Sequence, residues 1–332
     1  MDSQQQKFQS MGFFGIVKEA YKTIFEAKKI FTLITLAMIF PLSCIMFFHL
    51  HILNFLFQRI DLTYVNLYYT ASGSAVAKGI VHHLVLLWIV FFISNAAYLF
   101  FVFILYLVST SSVVYTMMCI YAGKVLAFRE LLNVVQKVLK RFMIHRVWLM
   151  LFYQIVTLVF LIYMCIWDLA VEQYRGSVVT MGVLVLLAAL SVILYGFMNL
   201  DWQLACVISI FEDLSDTLGE SKNITLRKGK QRLAITIAVG LQLSVIIVLM
   251  GYFYLLVAHG KSLGTVSKVS CGIMSILLLS VTILLGLVVQ TLFYFVCKAY
   301  HGENIDKKCL ATTLEAFIAD KTAHQLQNLT VV

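Results

Sequence analysis

Residues 84–118 read LVLLWIVFFISNAAYLFFVFILYLVSTSSVVYTMM, a stretch without a single charged side chain. A helix needs about 20 apolar residues to cross a hydrocarbon core about 30 Å thick, so this stretch is long enough to span a bilayer. The composition of the 332-residue chain agrees, because 61% of its residues are hydrophobic, 12% are charged and the mean hydropathy is +0.93. A water-soluble domain of this length would carry far more charge. The sequence therefore predicts a membrane protein.

Five further stretches share this character, which predicts an all-α integral membrane bundle of six transmembrane helices. The predicted spans are 31–53, 84–118, 145–169, 178–200 (with an extension to 211 left open), 233–258 and 271–297. They divide the chain into a cytosolic amphipathic segment over 1–30, a membrane domain over 31–297 and a short cytosolic tail over 298–332. The first span is expected to act as an uncleaved signal anchor, because it is too long for the apolar region of a signal peptide. Pro41 is expected to kink it.

Lysine and arginine predict the orientation of the spans. They cluster in the N-terminal segment, in the second and fourth connections and in the tail, whereas the other connections carry few of them. By the positive-inside rule, both termini are predicted to be cytosolic. The net charge of +9 then reflects a cytosolic face in contact with anionic lipid headgroups. Nucleic-acid binding is the alternative explanation, but no recognition motif supports it. The endoplasmic reticulum is the favoured membrane, and the plasma membrane is the second choice.

Basic amphipathic segments precede the predicted membrane hairpins. Residues 13–28 place Phe14, Val17, Tyr21 and Ile24 on one helical face, with Lys18, Lys22 and Glu26 opposite. Residues 126–143 do so more strongly, with an apolar face that includes Leu131, Leu132 and Val135 and with the basic residues Arg129, Lys137, Lys140 and Arg141 opposite. Such helices are expected to lie in the membrane interface with the apolar face down. A weaker segment over 213–230 completes three helix-plus-hairpin units, which predicts an internal repeat.

Small and weakly polar side chains line one face of each of the last two spans. The candidate pore or packing residues there are Gln242, Ser244, Thr282 and Gln290. Residues of this kind let helices approach closely and share hydrogen bonds in lipid, so helix packing is the favoured interpretation. A permeation path remains the alternative.

The middle thirds of the predicted spans contain no Asp, Glu, Lys or Arg. Because ion-coupled transport needs a titrating or ion-coordinating site at membrane depth, this absence argues against it. One candidate polar site is left at the inner end of the fourth span, formed by Asn199, Asp201 and Gln203. Interfacial placement of Asp201 beside Trp202 is the favoured interpretation. No nucleophile elbow, phosphate-binding loop or HExxH motif occurs.

Histidines supply the one candidate metal site. His49 and His51 end the first predicted span, and His82 and His83 begin the second, so all four are expected at the outer interface. Four imidazoles could bind zinc, copper or haem iron. However, residues i and i+2 differ by about 200° around a helix, which allows one ligand from each pair. Ordinary interfacial histidines are therefore favoured, and neither a metal nor another cofactor is predicted.

Three segments carry a resemblance to a known family: MGFFGIVKEA at 11–20, WQLACVISIFED at 202–213 with Lys228-Gly229-Lys230 beyond it, and FYFVCKAYHGENIDK at 293–307. Together they resemble a plant family of uncharacterised multi-pass membrane proteins, some of which are labelled as binding polyadenylate-binding protein. The second segment is also distantly similar to the bacterial membrane domain found beside glycerophosphodiester phosphodiesterases. The resemblance implies six spans and a plant source, and it transfers no site residues.

These observations favour a non-enzymatic endomembrane protein that acts as a scaffold, an adaptor or a membrane organiser. The lipid bilayer is the predicted partner, with anionic lipids at the cytosolic face, and no nucleic-acid partner is predicted. The first alternative is a facilitator of a small neutral or apolar molecule. The second is an integral-membrane enzyme that uses Asp201 or the outer histidines.

Overall fold

The computed structural model describes residues 3–71, 73–124, 229–255 and 264–300, together with positions 131, 132, 135, 136, 155 and 182. This part of the chain is helical apart from short turns and contains no strand, which confirms the all-α prediction there. Its α-helices are α1 (Ser3–Ser10), α2 (Phe13–Glu26), α3 (Lys28–Ile34), α4 (Phe40–Tyr68), α5 (Ala75–Ala122), α6 (Gly229–Phe253) and α7 (Thr265–Tyr300).

Within the described residues, three helical segments are long and apolar enough to cross a membrane: Lys28–Tyr68, Ala75–Ala122 and Thr265–Ala299. They contain the first, second and sixth predicted spans. The fifth predicted span overlaps α6, in which the described segment Gln242–Phe253 is apolar. The third and fourth predicted spans lie outside the described residues, so the count of six remains a prediction.

The first two long helices extend beyond the predicted span ends. α4 continues to Tyr68, past the expected end at residue 53, because residues 54–68 contain neither glycine nor proline. α5 already begins at Ala75, where the Ser74 hydroxyl accepts a hydrogen bond from the Ala77 amide at 3.1 Å as a helix cap. The 48 residues of α5 have a contour length of about 72 Å, more than twice the hydrocarbon thickness.

A π-helical turn over Thr35–Ile39 directly precedes α4, in which Pro41 occupies the first turn. Proline has no amide hydrogen, and its ring clashes with the carbonyl four residues earlier. A wider π turn accommodates such a defect in an otherwise continuous helix. The irregularity expected at Pro41 is therefore present as a change of helix type just before the proline.

The chain forms two compact units. The first unit comprises residues 1–34, 107–244 and 283–332. Among its described residues, the segment from Ser109 to Cys119 of α5 is buried on every side, and so is most of α7 from Leu287 onwards. An aromatic cluster belongs to this core. Phe8 of α1 lies with its ring centroid 5.4 Å from that of Tyr121 and 6.1 Å from that of Phe295.

The second unit comprises residues 35–106 and 245–282. Among the described residues, its helices are joined by aromatic pairs, such as Phe47 with Phe253 at 4.4 Å and Phe57 with Phe91 at 5.1 Å between centroids, and by several polar contacts. Ser280 donates to the hydroxyl of Ser43 at 2.9 Å, and the Tyr254 hydroxyl donates to Asn54 at 3.1 Å. Many large apolar side chains remain exposed along α5 in this unit, including Val85, Ile89 and Ile93. Such a surface suits hydrocarbon rather than water.

Candidate functional site

His49 is the histidine that the structure places inside the helix contacts. Its Nε2 atom lies 3.3 Å from Oδ1 of Asn95, and both side chains are buried. The amide nitrogen of Asn95 donates to the Phe91 carbonyl at 2.8 Å, which leaves Oδ1 to face the imidazole. An amide oxygen only accepts, so Nε2 carries the hydrogen and donates it to Asn95.

The ring of Tyr98 stacks on the same imidazole, with 3.7 Å between centroids and 4° between planes. On α4, His49 lies ten residues, or about 15 Å of helix, before Arg59. The placement of His49 at the outer interface of a membrane stays a prediction. Because α4 continues to Tyr68, residue 49 is not at a helix end, and it packs against α5 instead.

The other three histidines do not join His49. His51, His82 and His83 are exposed, and His82 lies 13 residues, or about 20 Å along α5, from Asn95. Within the ranges that the structure describes, no group of three or more His, Cys, Asp or Glu side chains could hold a metal ion. The four histidines of the candidate metal site are thus not brought together.

Of the candidate pore or packing residues, Gln242 makes the closest helix contact. Its carboxamide lies directly over Gly286 of α7, where a methyl group in place of the glycine hydrogen would overlap it. Gln290, one turn further along α7, is buried as well. Ser244 and Thr282 bond within their own helices, to the carbonyls of Gly240 and Leu278. The arrangement of Gln242 on Gly286 is one of close packing, which a glycine permits.

The sequence analysis did not single out a hydroxyl-rich segment of α5. Ser109, Thr110, Ser111, Ser112 and Thr116 are all buried. Ser111 and Ser112 donate to the carbonyls of Leu107 and Val108, at 2.7 and 2.8 Å. The Thr116 hydroxyl is the buried side-chain oxygen without a hydrogen-bond partner among the described residues. The run of four hydroxyl residues at 109–112, inside an apolar stretch, is the signal that could have revealed this segment.

α2 has one face that packs inward. Ile16, Ala20 and Thr23 are buried, and the Thr23 hydroxyl lies 3.5 Å from that of Tyr121. The ammonium group of Lys7 forms a 2.6 Å ion pair with Glu19, which further ties α1 to α2. These contacts determine the rotation of α2 about its own axis.

The opposite face of α2 is aromatic and exposed. Phe14 is 85% exposed, Phe25 71% and Tyr21 48%, and the exposed Lys18 and Lys22 flank them. Lys22 pairs weakly with Glu26 at 3.7 Å. The sequence analysis predicted Phe14 and Tyr21 on one face, as observed, but it placed Lys18 and Lys22 opposite them, whereas positions 14, 18, 21, 22 and 25 share one face of the helix. Val17 and Ile24, which were expected beside Phe14 and Tyr21, are half-buried, and Phe25 takes their place. We call Phe14, Lys18, Tyr21, Lys22 and Phe25 the α2 outer face.

The second predicted interfacial helix differs from its expected arrangement at the described positions. Leu131 and Val135, one helical turn apart on its apolar face, are buried, and only Leu132 is exposed. This apolar face therefore packs on protein at Leu131 and Val135. The basic residues of that segment, Arg129, Lys137, Lys140 and Arg141, lie outside the described residues. The candidate polar site formed by Asn199, Asp201 and Gln203 also lies outside the described residues.

Comparison with the curated proteins finds no match, and neither does comparison with the solved structures. A family model, described as a domain of unknown function, matches residues 1–330. A match of this length covers all the helices described above, including the α2 outer face and the His49 contact. The chain therefore belongs to the family with the domain of unknown function DUF8558.

Proposed function

We propose that this protein is a non-enzymatic integral membrane scaffold that organises lipid at the cytosolic face of the endoplasmic reticulum, with both termini in the cytosol. The observation that carries the proposal is the α2 outer face. Three long apolar helices support the membrane placement, and the clustered lysines and arginines support the orientation.

The α2 outer face has the composition of a membrane-surface helix. Aromatic side chains insert at the level of the headgroups, and flanking lysines reach the lipid phosphates while their stems cover apolar surface. Each lysine near an anionic leaflet contributes about 1 kcal/mol to binding. Because the inner face of α2 is held by Ile16, Ala20 and Thr23, the helix does not have to rotate to present its aromatic side chains.

The position of α2 in the chain also supports contact with the bilayer. Only Ala27 separates α2 from the apolar segment that begins at Lys28. The 14 residues of α2 are about 21 Å long, so the outer face stays close to the membrane entry point. Ala27 has φ −105° and ψ 32°, outside the α-helical values, and this break lets α2 take a direction different from α3.

Burial of Leu131 and Val135 shifts the proposed lipid contact from residues 126–143 to α2. The facilitator hypothesis ranks second. The contact of Gln242 with Gly286 is better explained by packing than by a pore. One observation supports a path for a small neutral molecule: the hydroxyl-rich segment of α5 contains Thr116, whose buried hydroxyl has no hydrogen-bond partner among the described residues.

The test uses purified full-length protein in vesicles that contain a fluorescent anionic lipid. Energy transfer from a dye at the C-terminus reports enrichment of that lipid around the protein. Phe14→Ser with Phe25→Ser should reduce the enrichment, and so should Lys18→Gln with Lys22→Gln. Tyr68→Ser is the matched control, because Tyr68 is as exposed as Phe14 but lies at the far end of α4. Equal enrichment in all variants would contradict the proposal.

A further inference from the structure

The second unit carries an open apolar groove of about 520 Å³ beside α4. Most sites for small molecules have volumes of about 300 to 1,000 Å³ and mainly apolar walls. The side chains that shape this groove are Cys44, Phe47, Phe48, His51, Phe253 and Ile276. None of them belongs to the α2 outer face or to the contact between His49 and Asn95.

The rings of Phe47 and Phe253 form the floor of the groove. Phe47 is buried, and its ring packs on that of Phe253. The ring of Phe48, 66% exposed, stands at the side and is available to an occupant. Aromatic faces of this kind present flat apolar walls, which a flat ring system covers well.

His51 is the strongly polar side chain in the lining of the groove. It is exposed, and among the described residues it forms no hydrogen bond. It lies on an apolar helix surface, one turn before Asn54 and two turns before Arg59. A neutral imidazole has one donor and one acceptor, so a single hydroxyl group can satisfy either ring nitrogen. A ligand with such a group would supply the partner that the described residues do not give His51.

The length of the groove limits the kinds of ligand that fit it. Cys44 and His51 are seven residues apart on α4, so the apolar body beneath the imidazole is about 10 Å long. The flank around it is apolar, with Ile273 and Leu277 exposed on α7, so an occupant arrives through the bilayer. A rigid body loses less conformational entropy on binding than an acyl chain does.

We propose that this groove binds one sterol-like lipid, whose flat apolar body lies on Phe47, Phe48 and Phe253 and whose single hydroxyl bonds to His51. The occupant would be a lipid of the surrounding bilayer, independent of the anionic lipid at the α2 outer face. Loss of one site therefore leaves the other intact.

The experiment uses the full-length protein in nanodiscs with a photoreactive sterol, and cross-linked peptides are mapped by mass spectrometry. We expect saturable labelling within α4 that unlabelled sterol displaces and diacylglycerol does not. His51→Phe should weaken the apparent affinity about fivefold, the effect of one hydrogen bond. Ile276→Trp should fill the groove and abolish labelling.

His82→Phe and Val281→Trp are the matched controls, because both residues are exposed and neither lines the groove. Thermal unfolding of each variant monitors folding. If Ile276→Trp does not fold, His51→Phe still decides the question, since His51 is an exposed side chain. The proposal is overturned if labelling is not saturable, if diacylglycerol competes as well as sterol, or if His51→Phe and His82→Phe behave alike.

Discussion

His49 donates a buried hydrogen bond to Asn95, with 3.3 Å between Nε2 and Oδ1, and so joins α4 to α5 within a long apolar stretch. An interhelical hydrogen bond of this kind is satisfied only if both partners are present. Loss of one partner leaves a polar group against hydrocarbon. The pair is therefore expected to behave as a unit.

Asn95→Leu should destabilise the protein by about 1 kcal/mol, because His49 is left without its acceptor. The double variant His49→Leu with Asn95→Leu should recover much of the loss, since no polar group remains unpaired. Thermal unfolding in detergent measures both. Asn66→Leu, at an exposed position of α4, is the control. A single Asn95 variant as stable as this control would refute the coupling.

Gly286→Ala should destabilise the helix contact by up to about 1 kcal/mol, because the carboxamide of Gln242, the far end of a flexible side chain, has to move away from the new methyl group. Adding Gln242→Ala should relieve the overlap and restore stability. Gly240→Ala is the matched control, as a methyl group there meets nothing within 4 Å. It should be neutral or stabilise the helix by up to about 1 kcal/mol. The same denaturation assay compares the four proteins, and a Gly286 variant as stable as the Gly240 variant argues against the contact.

Phe8→Ala should cost about 3 kcal/mol or more, because the ring fills an aromatic cluster with Tyr121 and Phe295. The N-terminal segment should then become accessible to protease in membranes that are otherwise intact. Phe101→Ala removes the same side chain from an exposed position of α5 and should leave both stability and protection unchanged. Equal protease sensitivity of the two variants would show that Phe8 does not hold α1 in place.

Thr116→Val should be neutral or raise stability by about 1 kcal/mol, since it replaces an unpartnered buried hydroxyl with a methyl group of the same shape. Thr291→Val is the contrasting variant, because it removes a hydroxyl that has a hydrogen-bond partner: the Thr291 hydroxyl donates to the Leu287 carbonyl at 2.8 Å. If Thr116→Val instead lowers stability and also stops passage of a small neutral molecule into proteoliposomes, the facilitator hypothesis becomes the favoured one.

The helices themselves could be predicted because each depends on local properties. Continuous apolar runs indicated the three long helical segments, and the alternation of apolar and basic residues indicated α2. α4 continues beyond the end of its predicted span and α5 extends beyond both ends of its own, since hydropathy marks where charge begins and not where a helix stops. For the same reason the sequence did not show that His49 lies within a continuous helix. For residues 126–143, periodicity showed an apolar face but not whether lipid or protein covers it, and Leu131 and Val135 are covered by protein.

The sequence by itself determined the solvent and the secondary structure, because hydrophobic transfer and helical hydrogen bonding act on neighbouring residues. Only the tertiary structure decided which polar side chains meet. His49 and Asn95 are 46 residues apart, and Gln242 and Gly286 are 44 apart. Their pairing depends on which helices pack together and in which rotation. In lipid, that choice rests on close packing and interhelical hydrogen bonds rather than on hydrophobicity, so no apolar periodicity reports it.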